Sequence, residues 1–256
     1  MPRKQTDKSE ILYGIHPVTE ALRAGRRRVT RLYLTPALLA SRLAASLEDL
    51  TAPQTAVETV APGVLTQLCE NPRHQGVCAR VSTFPWTPLK NVLGRQPGMG
   101  RHLVLLALDC LTDPHNVGAL LRTALVSGVD AVLLPRRNSC GPTPTVSKIS
   151  AGALEHSAVV PVTNLVRTLD QLKANNFWVF GLDREGRQPL YAADFDVPLV
   201  LVIGGEGKGL RPLVKTHCDY LTCIPQMGPL DSLNASVAGA VALYEILRQR
   251  RAKGSP

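Results

Sequence analysis

Three stretches concentrate the side chains able to do chemistry. In Asp113-Pro114-His115-Asn116-Val117-Gly118-Ala119-Leu120-Leu121-Arg122, an amide, a glycine and a guanidinium stand where a strand hands over to a helix. Asn116 reads as the helix N-cap, since a short polar side chain there accepts from a free N–H of the first turn. Gly118 and Arg122 are four apart and share a helix face, which gives the guanidinium room over bare backbone. Leu121 and Leu125 flank Arg122. If they bury it in part, it needs an anionic or carbonyl partner; a snorkelling arginine needs none. His115 has no second ligand at metal spacing. In Ile203-Gly204-Gly205-Glu206-Gly207-Lys208-Gly209-Leu210, four glycines surround one glutamate after an apolar strand. A phosphate loop of the G-x-x-x-x-G-K-[ST] kind needs a hydroxyl after its lysine, and Gly209 follows Lys208. The dinucleotide pattern G-x-G-x-x-G fails at Leu210. Glycines let a backbone approach a ligand closely. A central carboxylate disfavours phosphate and suits a hydroxyl or a cation. A plain glycine-rich turn is the alternative. In Ile224-Pro225-Gln226-Met227-Gly228-Pro229-Leu230-Asp231-Ser232-Leu233-Asn234-Ala235-Ser236, a strand end passes through a turn into a helix that Ser232 or Asn234 caps. A capped helix after a turn would by itself account for that pattern.

The elements that must position these stretches follow from periodicity. Ile11–Gly14 is a short apolar start. Pro17 and Gly25 bracket a helix over 17–24. Val29–Leu34 reads as a strand and Pro36–Leu50 as a helix, with further strands at Val57–Val60 and Val77–Val81. Pro85, Pro88, Gly94, Pro97, Gly98 and Gly100 then mark a linker. Residues 1–83 are therefore expected as a small α/β domain, 84–101 as the linker and 102–256 as a second domain. The second domain opens on Leu103–Leu108, a continuous apolar strand ending at Asp109, as expected of a strand covered on both faces. Helices are expected over Val117–Ser127, Val146–His156, Leu165–Asn175 and from about Leu233 to Arg251. Strands are expected over Ala131–Leu134, Val159–Val162, Phe177–Leu182 and Leu199–Ile203. This alternation predicts an α/β fold with a mostly parallel sheet.

Composition narrows the chemistry. The net charge is +9, of which residues 1–101 carry +7 and residues 102–256 only +2. A basic excess gathered in the front part suits a polyanion such as RNA or DNA. Aromatics at 4% argue against a platform of stacked rings. No apolar run reaches the ~20 residues of a membrane span. The start, Met1–Gln5, has no apolar stretch behind it, and Asp7 and Glu10 interrupt any transit-peptide pattern. The expected setting is the cytoplasm, or a mitochondrial matrix if this is a processed organellar chain. The six cysteines form no C-x-x-C pair, so zinc spacing is missing and reduced core thiols are expected.

Taken in order, the three stretches resemble the motifs of the SPOUT superfamily, in its TrmH branch. Asn116, Gly118 and Arg122 match N-x-G-x-x-x-R. Gly204, Glu206 and Gly209 match G-x-E-x-x-G. Ile224, Pro225, Ser232, Leu233, Asn234 and Ser236 match I-P…S-L-N-x-S. Each pattern alone is weak; three in order are specific. Tyr13-Gly14-Ile15-His16-Pro17-Val18, His74-Gln75-Gly76-Val77 and Val162–Leu169 look like the RlmB type, which methylates a guanosine ribose in large-subunit ribosomal RNA. Gln226 and Ala235 depart from that type, where Met and Val are common; both stand beside the matched polar positions.

The resemblance implies an L30e-like front domain that binds RNA, a carboxy-terminal SPOUT domain with a deep trefoil knot, and a homodimer with sites near the interface. It implies S-adenosyl-L-methionine held by the backbone of Gly204, Ile224 and Leu233, no metal, and 2′-O-methylation of a ribose in ribosomal RNA. Asn116, Arg122, Glu206, Ser232 and Asn234 would form the reactive site. Asn116 and Asn234 would orient ribose or phosphate, Ser232 would touch the reacting nucleotide, and Glu206 would order its loop or a basic partner. Arg122 is either a base in an unusual environment or a holder of phosphate and developing negative charge; the permanent charge of a guanidinium favours the second. Arg136, Arg137 and Lys148 are candidates for RNA backbone contact. The rival readings are the same reaction on transfer RNA or on a ribosomal adenosine, and a non-catalytic ribosome-assembly protein.

Overall fold

The computed structural model describes residues 9–95, 101–229 and 232–254. Met1–Gln5 and Asp7 of the start, Pro97, Gly98 and Gly100 of the expected linker, and Leu230 and Asp231 of the third stretch lie outside them. The front of the chain forms β1 (Ser9–Tyr13), α1 (Ile15–Ala24), β2 (Val29–Leu34), α2 (Pro36–Leu39), α3 (Arg42–Leu50), β3 (Ala56–Thr59), α4 (Pro62–Cys69) and β4 (Val77–Ser82). Then come α5 (Leu89–Leu93), β5 (Val104–Asp109), α6 (Pro114–Val126), β6 (Ala131–Pro135), α7 (Pro144–Ile149), α8 (Ala153–His156), β7 (Val159–Val162) and α9 (Leu165–Lys173). The remainder is β8 (Trp178–Leu182), β9 (Gln188–Pro189), β10 (Leu199–Gly204), α10 (Pro212–His217), β11 (Tyr220–Cys223) and α11 (Ala235–Ala252).

These elements make two compact units. The first takes the described residues up to Pro85 together with Pro142–His156; the second takes Trp86–Gly141 and the described residues from Ser157 on. The first unit has a four-stranded mixed sheet in the order β1-β4-β2-β3. Leu12, Val18, Leu32, Leu34, Leu47 and Val77 form its core.

The contiguous domains expected from the sequence are therefore interrupted, because α7 and α8 pack on β1 and α1. The reason is a buried charge. Arg27 is buried, and its guanidinium donates to the Ser82 carbonyl at 2.6 and 2.9 Å and to Glu10. Its remaining edge faces Glu155 of α8 at 3.5 Å, and the Ser147 hydroxyl of α7 donates to the same carboxylate at 2.8 Å. Burial pushes the Glu155 pKa up, which Arg27 opposes. One helix was expected over 146–156. It breaks at Ala151 and Gly152, both at positive φ, and a side chain at Gly152 would run into Glu20 of α1. The single helix expected over 36–50 also breaks, at Ser41, whose hydroxyl donates back to the Leu38 carbonyl at 2.6 Å.

The second unit is built on a seven-stranded sheet in the order β7-β6-β5-β10-β8-β11-β9. Every pairing in it is parallel. All six residues of β5 and of β10 are buried, as continuous apolar runs between helical layers must be. Part of the expected linker is structure: Leu89, Val92 and Leu93 recur at helical spacing, and α5 lays them on this core. β10 enters between β5 and β8, and β11 lies beyond β8. α11 packs against α6. Gly239 of α11 leaves no room for a side chain against Leu120 and Ile203. At the other end of α11, the buried Arg250 donates to the backbone carbonyls of His102, Phe195 (3.2 Å) and Val197 (2.7 Å).

Arg27→Met leaves Glu155 buried without its cation. Urea denaturation should show a loss of about 3–5 kcal/mol, the usual cost of breaking a buried ion pair from one side.

Candidate functional site

The site gathers at the carboxyl ends of β5, β8, β10 and β11, where open parallel sheets present their loops. Asp113, not Asn116, caps α6: its carboxylate accepts from the His115 N–H at 2.9 Å. Pro114 occupies the first helical position, so the helix starts earlier than expected and Asn116 falls inside its first turn. Asn116 is buried. Its Nδ2 donates to the Glu206 carboxylate and to Asp113 at 3.3 Å, and its Oδ1 accepts from Asn234 Nδ2 at 2.9 Å. Asn234, one of two caps expected for α11, takes the role through Oδ1. That oxygen accepts from the N–H of Ser236 at 2.9 Å and of Val237 at 3.3 Å, and from the Ser236 hydroxyl at 2.6 Å. One chain of polar contacts, Glu206–Asn116–Asn234, thus ties the three stretches together.

The glycine-rich loop is tight for reasons internal to the protein. A side chain at Gly204 would occupy the backbone of Gly209 and Leu210, and a Cβ at Gly205 would lie 2.6 Å from the Cys110 carbonyl oxygen. The close approach expected toward a ligand is thus first an approach of one loop segment to another. Asp109 ends β5 fully buried and receives Arg211, with Nε and the backbone N–H at 2.7 and 2.9 Å. Burial, and secondarily the Asp109 carboxylate, push the neighbouring Cys110 thiol up. All six cysteines are free.

Beside this loop lies a cavity of about 350 Å³. Gly204, Glu206, Ile224, Ser232, Leu233 and Asn234 all line it. So do Leu182, Asp183 and Lys215, which sequence reasoning missed. Asp183 holds Lys215 at 2.8 Å, a contact that raises the lysine pKa. The signal for Asp183 was present: like Asp109, it is an acid that closes an apolar run in the sequence. Lys215 and Arg211 carried no such mark.

Arg122 is exposed, makes no hydrogen bond or ion pair among the described residues, and does not line the cavity. Leu121 is buried, but Leu125 is 37% exposed, so the partly buried arginine does not form. Lys148 is not a free cation, since it donates to Gln75 Oε1 within the first unit and burial lowers its pKa. Arg136 lies over the Trp86 ring, 5.4 Å from its centre, and Arg137 is exposed. No group of three or more His, Cys, Asp or Glu able to hold a metal ion occurs among the described residues. No helix among them is long and apolar enough to cross a membrane.

Residues 103–244 match the model of the SpoU rRNA methylase family. The chain belongs to that family. Its front residues 11–86 match the RNA 2′-O ribose methyltransferase substrate-binding family. An uncharacterised tRNA/rRNA methyltransferase of Synechocystis is 41% identical over 242 residues, covering 94% of this chain and 63% of that protein. A putative TrmH family tRNA/rRNA methyltransferase of Staphylococcus epidermidis is 38% identical over 240 residues, covering 94% and 96%. Among solved structures, the SpoU methyltransferase AviRb of Streptomyces viridochromogenes, in complex with AdoMet, superposes with a TM-score of 0.80. It is 28% identical and covers 95% of this chain and 91% of its own. The second unit therefore has the SPOUT fold, and this SpoU family member is an RNA methyltransferase.

Gly204→Ala should disrupt the loop, because the clashing atoms are backbone and cannot rotate away. Thermal unfolding should register a loss of about 1–3 kcal/mol, the usual cost of overpacking.

Proposed function

We propose that this SpoU family protein methylates a ribose 2′-hydroxyl, with a guanosine of large-subunit ribosomal RNA as the substrate and S-adenosylmethionine as the methyl donor. The observation that carries the reading is the Glu206–Asn116–Asn234 chain, whose two ends, Glu206 and Asn234, line the cavity while Asn116 is buried between them. The cavity fits the cofactor. Its volume of about 350 Å³ is within the small-molecule range of ~300–1,000 Å³. Gly204, Ile224 and Leu233 line it together with apolar Leu182 and a few polar residues, which supports their backbone as the cofactor's holder.

When bound, S-adenosylmethionine supplies an electrophilic methyl on a sulfonium. The protein's part is to hold the ribose oxygen in line with that methyl, which can supply up to ~7–11 kcal/mol of a barrier. Asn116 and Asn234, locked by their mutual hydrogen bond, orient ribose or phosphate. Ser232, exposed at the cavity, contacts the reacting nucleotide. Arg122 holds a phosphate and stabilises negative charge as the hydroxyl proton leaves to water or another group. Its exposure and lack of a partner support a cation reserved for the substrate.

The first unit binds RNA in this reading, supported by its basic excess and its substrate-binding family match. A structure described as giving insight into 2-OH methylation of C/U34 on tRNA has 98% of its own chain covered, but only 59% of this one. Part of this chain thus has no counterpart there, and in this reading the front unit is what selects structured ribosomal RNA. A homodimer around a knotted cofactor pocket completes the reading. Val126 (63% exposed) on α6 and Val237 and Tyr244 on α11 are exposed apolar side chains, and a second copy covering them would support the dimer. The bacterial relatives support a cytoplasmic setting and lend none to an organellar one.

Arg122→Ala should reduce methyl transfer about 100-fold or more, the scale seen when one transition-state donor is removed. Arg122→Lys should retain much of the activity; near-complete loss in Arg122→Lys, with RNA binding intact, would count against a charge-only role. Mapping of 2′-O-methyl groups on ribosomal RNA from a deletion strain decides the substrate: one large-subunit guanosine should lose its methyl, and a full complement would refute the assignment. Val126→Glu should shift the sedimentation of the protein from dimer to monomer.

A further inference from the structure

Asp109 takes part in both ends of the glycine-rich loop. Its backbone stands opposite Gly204 in the β5/β10 ladder, where the loop leaves the sheet. Its side chain receives Arg211, where the loop ends: Oδ2 accepts the backbone N–H at 2.9 Å, and Oδ1 meets Nε and Nη2, each at 2.7 Å. One residue with no exposed surface therefore closes a loop that begins at Gly204 and ends at Arg211. The next residue, Cys110, has φ of 58°, and its carbonyl oxygen fills the space beside Gly205. Across the loop, Gly205 bridges to Gly209. Glu206 reaches Asn116 from the tip of this closed ring. Neither Asp109 nor Arg211 lines the cavity.

We propose that the Asp109–Arg211 pair is a positioning device for methyl transfer: it sets the span of the glycine-rich loop, and so the cofactor wall and the place where Glu206 meets Asn116. The inference rests on the cofactor reading above. The effect is local, because the β5/β10 ladder runs over six paired positions and does not depend on the pair. The start of α10 is held separately by Leu210 and Val214 in the core. Lysine at 211 would keep the charge but lose the planar fork that satisfies one oxygen from two nitrogens. Asparagine at 109 would keep the shape but turn a donor toward donors.

Calorimetric titration of the full chain with S-adenosylhomocysteine tests this in Asp109→Asn, Arg211→Lys and a control, Leu169→Ala. Leu169 is fully buried on α9 and does not line the cavity. Asp109→Asn and Arg211→Lys should weaken binding about tenfold or more, the scale of a lost charged hydrogen bond. Leu169→Ala should lower the melting temperature and leave the affinity at the wild-type value. Should Asp109→Asn fail to fold, Arg211→Lys decides alone. Wild-type affinity in folded Arg211→Lys, or an affinity loss shared by Leu169→Ala in step with its melting temperature, would overturn the proposal. Absence of binding by the wild-type protein would instead overturn the cofactor reading, and this inference with it.

Discussion

Removing a carboxylate from water costs several kcal/mol unless donors meet its oxygens, and Asp109 is removed completely. Arg211 meets that requirement with backbone and side chain at once, and in doing so brings the far end of the glycine-rich loop back to the end of β5. The remaining contacts of the site build on this closure. Glycine is required at 204 and 205 because the closed loop presses on its own backbone and on Cys110. Glu206 then projects toward α6, and the amide of Asn116 is the group that receives it.

Asn116 suits its place because one amide carries both a donor and an acceptor. It gives hydrogens to Glu206 and Asp113 and takes one from Asn234. An acid of the same shape would put a third carboxylate beside two others and offer nothing to Glu206. The network is therefore directional, and its direction links the amino end of α6 to the amino end of α11. Arg122 stands outside it, two turns along α6 and exposed. The site thus has a braced part, made of neutral amides and a paired acid, and an open cation that finds no counter-charge within the described chain.

The same logic of buried charge shapes the first unit. Arg27 collects Glu10, the Ser82 carbonyl and Glu155. Because Glu155 lies on α8, a stretch from the middle of the sequence is drawn into the front unit. Lys148 joins α7 to Gln75 in the same way. Two of the front unit's sequence signatures, around Gly14 and around Gln75, meet here: the Ile15 N–H and Lys148 both donate to Gln75.

Local chemistry made much of this legible from residues alone. Continuous apolar runs at 103–108 and 199–203 announced doubly covered strands, Gly25 a helix end, and three short motifs the family and its reaction. What needed the tertiary structure was every relation between segments distant in sequence. Nothing local to Asp109 names Arg211, and nothing local to Asp183 names Lys215. Apolar spacing after Pro88 was masked by the prolines and glycines around it, so α5 read as linker. The cap of α6 went to Asp113 because Pro114 already provides a helical first residue, a choice between near-equivalent local options. The neighbours' types left Arg122 open between partial burial and snorkelling, because burial depends on which face α11 covers, and α11 covers the face that holds Leu120, not the one that holds Arg122 and Val126. Residue types thus determined the elements and the reaction class. Which charges were buried, with which partners, was decided by the fold, because the cost of a buried charge is settled only by groups the chain brings to it from afar.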